Sequence, residues 1–264
     1  MTASTHTKPA KLPVVNYERL KARDPTEVQN YIRAATEDGI FFLDLQGPSA
    51  KKVLGHLQPL YEAQHNFFSR PSEHKIAYAS DIPENGYYKH GDDVETYEIS
   101  RALEINGKLD LPSDFQAVAK ELADVASFSD EALRDLYRLV STSLSPPSPI
   151  AAGDDPKQPG TTNLTLGRSG APVGTHLIPE HTDSGLLTLL YYEAASLEIL
   201  QVSTGEWGLV EPVEGLHVIY VGDALSAESN GRIRAAPHRV TQPKENTALV
   251  VYLLHPAQSP VSDP

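Results

Sequence analysis

Residues 180–190, which read EHTDSGLLTLL, place a histidine and an aspartate two positions apart, just before an apolar run. Successive side chains of a β-strand point to opposite faces, so His181 and Asp183 are expected to project from the same face. An imidazole and a carboxylate would then converge on one point. Such a pair suits a divalent transition metal, although an isolated H-x-D also occurs by chance.

A third ligand of the same kind is His238, in the segment 236–240, APHRV. It follows Asp183 by 238 − 183 = 55 residues. That interval holds about four strands, so a closed barrel would return His238 to the first pair. Two histidines and one carboxylate on one side of a metal are typical of non-haem Fe(II) sites with positions open for O2 and an organic ligand. The alternative is structural, with Asp183 capping a turn and both histidines satisfied by hydrogen bonds.

The pattern of secondary structure changes in the middle of the chain. Before residue 145, the apolar spacing predicts helices at 25–39, 49–68 and 115–144 and a buried strand at 40–43. After residue 160, short runs with turn residues between them predict a β-sandwich or barrel. These predicted strands are 161–166, 186–192, 197–202, 208–210, 216–221 and 249–254.

This pattern divides the chain into five parts. We expect a disordered leader at 1–11, a helical N-terminal region at 12–144, a Pro-rich linker or loop at 145–160, a β core at 161–257 and a tail at 258–264. The β core carries all three candidate metal ligands. The predicted fold class is therefore mainly β with α.

Composition limits the partners and the chemistry. Of 264 residues, 22 are basic and 35 acidic, which gives a net charge of −13 and disfavours nucleic acid and anionic membrane surfaces as partners. No apolar run approaches the roughly 18 residues of a membrane span, so we expect a soluble, cytoplasmic protein. The absence of cysteine excludes disulfides and thiolate metal ligands, which leaves histidine and carboxylate for any metal site.

The segment 181–190 resembles the iron-binding strand of the isopenicillin N synthase-like branch of the Fe(II)/2-oxoglutarate dioxygenase superfamily. Further segments resemble this branch in order and spacing, both in the β core (200–202, 207, 221–225, 229–232 and 238–240) and in the N-terminal half (12–15, 39–42, 67–71, 74–75 and 86–88). The resemblance covers about residues 12–256. It implies a double-stranded β-helix (jelly-roll) core with N-terminal helices packed around it.

The resemblance also implies an activity and a set of site residues. His181, Asp183 and His238 would bind Fe(II) in a mononuclear non-haem oxidoreductase that uses O2 on a small organic molecule, in secondary metabolism. Tyr87, in the loop 86–91, would contact substrate or pack beneath a turn. His176 would be a substrate contact, an acid/base group or a solvated loop histidine.

One feature departs from the family pattern. Members that bind 2-oxoglutarate carry an arginine and a serine two residues apart on a late strand, and here those positions align with Asn246 and Ala248. A carboxylate buried without its cation costs on the order of 3–5 kcal/mol, so 2-oxoglutarate use requires another cation. Arg168, on the strand before the first ligand, is one candidate, and Arg232 and Arg234 are others.

This departure leaves the class of reaction open. Without 2-oxoglutarate, the substrate itself could supply all four electrons for O2. The metal could instead act as a Lewis acid in a non-redox lyase, isomerase or cyclase. A third reading is a catalytically silent binding protein on the same fold. Substrate identity and oligomeric state are not determined by the sequence.

Overall fold

The structure, a computed structural model, describes residues 7–144, 154–201, 204–242 and 247–257. The helices in this part of the chain are α1 (Tyr17–Lys21), α2 (Pro25–Glu37), α3 (Lys51–Phe68), α4 (Ser72–Ile76), α5 (Arg101–Ile105), α6 (Ser113–Gln116), α7 (Ala119–Ser143) and α8 (Asp223–Glu228). All but α8 precede the β core. Among the described residues, no helix combines the length and apolar character needed to cross a membrane.

The strands form two sheets. In chain order they are β1 (Lys8–Pro9), β2 (Val14–Asn16), β3 (Ile40–Asp44), β4 (Gly86–His90), β5 (Val94–Ser100), β6 (Asn163–Ser169), β7 (His176–His181), β8 (Leu187–Tyr192), β9 (Leu197–Gln201), β10 (Glu206–Val210), β11 (Leu216–Val221), β12 (His238–Thr241) and β13 (Thr247–Leu254). The smaller sheet has the order β1-β10-β9-β12-β7 and the larger one β2-β3-β11-β8-β13-β6-β5-β4. This is the predicted jelly-roll core with N-terminal helices, mainly β with α.

The helices cover the outer face of the larger sheet because their apolar stripes match it. In α3 and α7 the buried residues recur at helical spacing, and they join the outward-facing residues of β6, β8 and β13 in one core. A buried network also links α7 to the sheet. Asp130 accepts hydrogen bonds from the Tyr252 hydroxyl and from Arg134 Nε, each at 2.9 Å.

Several elements differ from the sequence prediction. The hairpin β4–β5 and the strands β7 and β12 were not among the predicted apolar runs, because their sequences are polar and because β5, β7 and β12 pair with strands that are distant in the chain. The leader prediction was wrong for the described residues 7–11, since Lys8 and Pro9 pair in parallel with Gly208 and Leu209. Residues 1–6 lie outside the described part.

The predicted linker is described only from residue 154 onward. Asp154 forms an ion pair with Arg138 of α7, which anchors this end of the segment to the helical region. The predicted residues 145–153, and the tail at 258–264, lie outside the described residues.

Candidate metal centre and its cavity

Three side chains from two distant segments of the chain meet on one wall of a cavity. His181, Asp183 and His238 each offer one ligand atom, and these three atoms lie within 4.8 Å of one another. Asp183 Oδ1 is 3.7 Å from His181 Nε2 and 3.6 Å from His238 Nε2. These two separations are shorter than twice the ligand distance of about 2.0–2.2 Å of a divalent ion, so an ion could bridge Asp183 and either histidine. The three side chains therefore form a candidate site for a divalent metal.

Backbone carbonyls orient both imidazoles. His181 Nδ1 is 2.8 Å from Pro179 O, and His238 Nδ1 is 3.0 Å from Ala236 O. Because a carbonyl oxygen only accepts, Nδ1 donates in each ring and the Nε2 lone pair is left for a metal. Burial lowers the pKa of His238, which favours the neutral form that metal binding requires.

Asp183 is held through both its carboxylate and its backbone. The Thr188 hydroxyl donates a hydrogen bond of 2.6 Å to Asp183 Oδ2, which leaves Oδ1 directed at the histidines. The N–H of Asp223 donates to the Asp183 carbonyl at 2.7 Å. A Cβ at Gly222 would overlap the carbonyl of Gly185 and lie 2.8 Å from that of Asp183, so this position requires glycine.

The ligands converge for a different reason from the one predicted. His181 is the last residue of β7, but Asp183 lies beyond the strand, in the turn before β8. Placing both ligands on one strand face was therefore wrong. His238 begins β12 and pairs directly with His181 across the sheet. Four strands, β8 to β11, separate Asp183 from His238, as the spacing predicted.

The cavity beside the ligands lies between the two sheets and has a volume of about 280 Å³. Apolar side chains form much of its wall, among them Leu190, Val240, Leu249, Val251 and Leu253. Binding sites for small molecules are commonly of about this size or larger and mostly apolar. The cavity thus suits a small organic ligand in contact with the candidate metal.

Tyr220 was not singled out by the sequence analysis, because β11 reads as a plain apolar run. Its ring centroid lies 4.6 Å from that of His238, and it lines the cavity. Burial, and to a smaller extent the Asp183 carboxylate, raises the pKa of Tyr220 well above its ordinary value. The hydroxyl therefore keeps its proton and can donate a hydrogen bond inside the cavity.

The side chains of β13 that line the cavity are not on the face that carries Ala248, the predicted cosubstrate residue. These side chains belong to Thr247, Leu249, Val251 and Leu253. Ala248 alternates with them and is fully buried in the core beneath the helices, so the predicted cosubstrate contact at Ala248 was wrong. Asn246 lies outside the described residues. The strand has no arginine or lysine on either face.

Arg168, on β6, is the one arginine or lysine among the described residues that line the cavity. It is paired across the sheet with Ala248 on β13 and with Glu95 on β5. Directly paired residues share a face of the sheet, so the Arg168 side chain leaves β6 on the side of Ala248, away from the cavity. The other two arginines that the sequence suggested, Arg232 and Arg234, do not line it.

The structure places Tyr87 and His176 away from the cavity. Tyr87 is buried in the core, where its hydroxyl donates to Glu95 at 2.5 Å and its ring packs edge-on against Phe67. Of the two predicted roles, this is aromatic packing beneath a turn. His176 begins β7, is exposed and pairs with Thr241. Neither residue is a wall residue of the cavity.

Glu98 is a further cavity residue that the sequence analysis missed, because β5 was not predicted as a strand. Val94, Thr96 and Glu98 line the cavity, whereas the alternating Tyr97 and Ile99 are buried in the core. Burial raises the pKa of Glu98 to about 7, with a smaller contribution from Glu84.

Comparison with known families gives a match to the model described as the 2OG-Fe(II) oxygenase superfamily, over residues 159–256. The matched range contains all three candidate ligands and strands β6 to β13.

Individual relatives agree with this match. The chain is 26% identical to "2-oxoglutarate-dependent dioxygenase FG08081" of Gibberella zeae, over 91% of this chain and 78% of the relative. It is also 26% identical to "Feruloyl CoA ortho-hydroxylase 2" of Arabidopsis thaliana, over 87% of this chain and 65% of the relative. Among solved structures, Neurospora crassa T7H in complex with alpha-KG and 5-formyluracil matches with a TM-score of 0.75 at 20% identity, over 97% of this chain and 88% of that one.

Proposed function

We propose that the chain belongs to the 2OG-Fe(II) oxygenase superfamily, whose model matches residues 159–256, and that it uses Fe(II), 2-oxoglutarate and O2 to oxidise a small organic molecule. The chain is an Fe(II)-dependent oxidoreductase. The observation that carries the proposal is the convergence of His181, Asp183 and His238 within 4.8 Å beside a ligand-sized cavity. Within the superfamily, we propose the isopenicillin N synthase-like branch.

The donor set supports Fe(II) as the metal. Two neutral imidazoles and one carboxylate, with no thiolate, form the facial arrangement that non-haem Fe(II) oxygenases use. When bound, iron would activate O2, and 2-oxoglutarate would supply two of the four electrons that reduce it as it is converted to succinate and CO2. The contribution of this chain is to present Nε2 of both histidines and Oδ1 of Asp183 without rearrangement, because carbonyls and Thr188 hold them in place.

The cavity wall offers partners for the distal carboxylate of 2-oxoglutarate. Strand β13 supplies no cation, and Arg168 leaves β6 on the same face as Ala248, so the partners on this part of the wall are hydroxyls. Ser169 and Thr247 face each other across β6 and β13 and also line the cavity, so two hydroxyls lie at the same end of the wall. An arginine supplies both charge and a two-point hydrogen-bond geometry for a carboxylate, whereas hydroxyls supply single neutral donors.

The remaining wall indicates the kind of substrate. Its largely apolar surface favours an organic molecule whose body is apolar, and Tyr220 offers one hydrogen-bond donor near the candidate metal. A relative with the name "Feruloyl CoA ortho-hydroxylase 2" supports a small molecule as substrate. We place that substrate in secondary metabolism.

Anaerobic titration of the Fe(II)-loaded protein with 2-oxoglutarate tests this proposal. Chelation of the metal by 2-oxoglutarate gives a charge-transfer absorption band, and we expect the band to saturate at micromolar concentrations. After O2 is admitted, succinate should accumulate. No band up to millimolar concentrations, with iron bound, would contradict 2-oxoglutarate use, and activity that survives exclusion of O2 would contradict oxygenation.

Matched variants separate the two parts of the assignment. His181→Ala should abolish iron binding, whereas His176→Ala, at the exposed start of the same strand, should not affect it. Ser169→Ala should raise the 2-oxoglutarate concentration at half saturation about fivefold while iron stays bound, whereas Arg168→Gln, on the other face of β6, should change it less than about twofold. Arg234→Gln, an exposed arginine outside the cavity, is the control for loss of one positive charge.

A further inference from the structure

We propose that Glu98 binds a positively charged nitrogen of the substrate, so that the protein selects substrates with a basic amine or amidine group. This inference rests on the proposed function, because it takes the cavity beside His181, Asp183 and His238 as the substrate site. It concerns the opposite part of that cavity, on the wall formed by β5.

Strand geometry directs the Glu98 side chain into the cavity. Along β5, Val94, Thr96 and Glu98 share the cavity face, while Tyr97 and Ile99 are buried on the helix side. Glu98 is therefore one of the few charged side chains that face the space next to the candidate metal.

The position of Glu98 relative to the metal suits the far end of a bound molecule. Glu98 pairs with Thr165 on β6, which pairs with Val251 on β13, which pairs with Leu190 on β8. Leu190 is two residues from Thr188, the residue that holds Asp183. Three strand spacings separate β5 from β8, about 14 Å along the curved wall. A ligand of several bonds can reach from one site to the other across the cavity.

No described residue supplies Glu98 with a counter-charge. The groups that act on its carboxyl are the surrounding buried environment, Glu84 and the Thr96 side chain, and none of them is cationic. Tyr88 of β4, which pairs with Thr96 of β5, is a further titratable group near Glu98; burial, and to a smaller extent Glu98, raises its pKa. His181 and His238 lie at the other end of the cavity, and Arg168 leaves β6 on the opposite face from Glu98.

The exclusion of water by a bound substrate favours a cationic substrate group next to Glu98. A substrate that expels water leaves the Glu98 carboxylate in apolar surroundings, where an unpaired charge is unfavourable. A neutral hydroxyl or amide would leave the negative charge uncompensated, whereas a protonated amine removes it. Attraction between the two charges is also strong where water is excluded. The net charge of −13 adds a long-range attraction for cations.

Calorimetry with two matched probes tests the proposal without turnover. The probes are 4-phenylbutylamine, which is cationic from pH 6 to 8, and 4-phenylbutan-1-ol, a neutral donor of similar shape. Both are titrated into the full-length protein under argon, once without metal and once with Fe(II) and 2-oxoglutarate.

With a pKa near 7, the ionised fraction of Glu98 rises from about 9% at pH 6 to about 91% at pH 8. We therefore expect the amine to bind about tenfold more tightly at pH 8 than at pH 6, and more tightly than the alcohol. In Glu98→Gln, amine affinity at pH 8 should fall about tenfold, and the rise in affinity from pH 6 to pH 8 that Glu98 causes should disappear. Alcohol affinity should change less than about twofold.

Asp92→Asn is the matched control. It removes one negative charge from the same hairpin, but Asp92 is exposed and outside the cavity. It should leave amine affinity unchanged. If the alcohol binds as tightly as the amine at pH 8, if Glu98→Gln retains the full pH dependence, or if the amine does not bind up to millimolar concentrations, the proposal is overturned.

The same experiments distinguish failure of this inference from failure of the proposed function. If the amine results hold but no charge-transfer band or succinate forms, Glu98 binds cations and the oxygenase proposal fails. If 2-oxoglutarate is consumed with iron but the amine results fail, the oxygenase proposal stands and the substrate class is wrong.

Discussion

Thr188 Oγ1 donates a hydrogen bond of 2.6 Å to Asp183 Oδ2, which directs the other carboxylate oxygen at His181 and His238. Thr188 lies on β8, and its side chain supports a ligand that lies outside any strand. A turn residue with a free carboxylate could adopt several orientations. This hydrogen bond selects the one that completes the candidate metal site.

Thr188→Val should therefore weaken Fe(II) binding about 10- to 100-fold while the fold is retained. The variant keeps the shape of the side chain but removes the donor, so Asp183 loses its orientation. Competition with a chromophoric chelator measures the affinity. Thr188→Ser, which restores the hydroxyl, should recover most of it, and equal affinities for all three proteins would contradict a positioning role.

Gly222→Ala should destabilise the turn that supports Asp183. Its new Cβ would collide with the Gly185 carbonyl, and relief of such a collision costs about 1–3 kcal/mol of unfolding free energy. Urea unfolding and iron affinity should both show the effect. Gly170→Ala is the control, because nothing lies within 4 Å of a Cβ there. An equal response to both changes would indicate a general intolerance of alanine.

Metal should stabilise the folded protein through the three ligands. With free Fe(II) at 100 times its dissociation constant, the free energy of unfolding should rise by about 2.7 kcal/mol. EDTA should reverse the accompanying shift in Tm. Asp183→Ala should show no shift with Fe(II), and a full shift in this variant would place the metal at another site.

Asp130→Asn should destabilise the contact between α7 and the β core. Asp130 and Arg134 are both buried, and loss of the Asp130 charge leaves Arg134 with the longer ion pair to Asp154 at 3.8 Å, at a cost of up to about 3–5 kcal/mol. Tyr252→Phe removes a single hydrogen bond to Asp130 and should cost only about 1 kcal/mol. Urea unfolding of both variants tests this order, which a reversed ranking would contradict.

The raised pKa of Glu98 should also appear in the pH dependence of stability. The folded carboxyl has a pKa of about 7 against an ordinary value of 4.5, so the folded state binds more protons between these values. Stability should therefore fall as pH rises from about 4.5 through 7 by this group's contribution. Glu98→Gln should lack that contribution, as urea unfolding at pH 5 and pH 8 would show. Parallel pH curves for the two proteins would contradict a raised pKa.

Several parts of the molecule could be predicted because their signals are local. The helices α2 and α3 follow from capping residues and apolar spacing within a few turns, and the strand β3 follows from a short apolar run. The three candidate ligands were suggested by the residue types available without cysteine and by an interval that holds four strands, and the resemblance to a known family then implied them.

Other parts depended on pairing between distant segments. The short strand at Lys8 and Pro9 exists because β10 offers it an edge. The polar hairpin β4–β5 becomes a cavity wall because it pairs with β6. The sequence analysis could not find Glu98 without that pairing, since an isolated glutamate in a polar segment is ordinarily exposed.

By itself, the sequence determined the fold class, the order of helical and β regions and the identity of the candidate ligands, because these follow from composition, periodicity and motif spacing. The tertiary structure alone decided which side chains enter the cavity. Strand side chains alternate with a period of two. A shift of one residue in the pairing of β13 would therefore place Ala248 in the cavity and move Thr247 and Leu249 to the core side. That register is set by hydrogen bonds to β6 and β8, which lie far away in the chain.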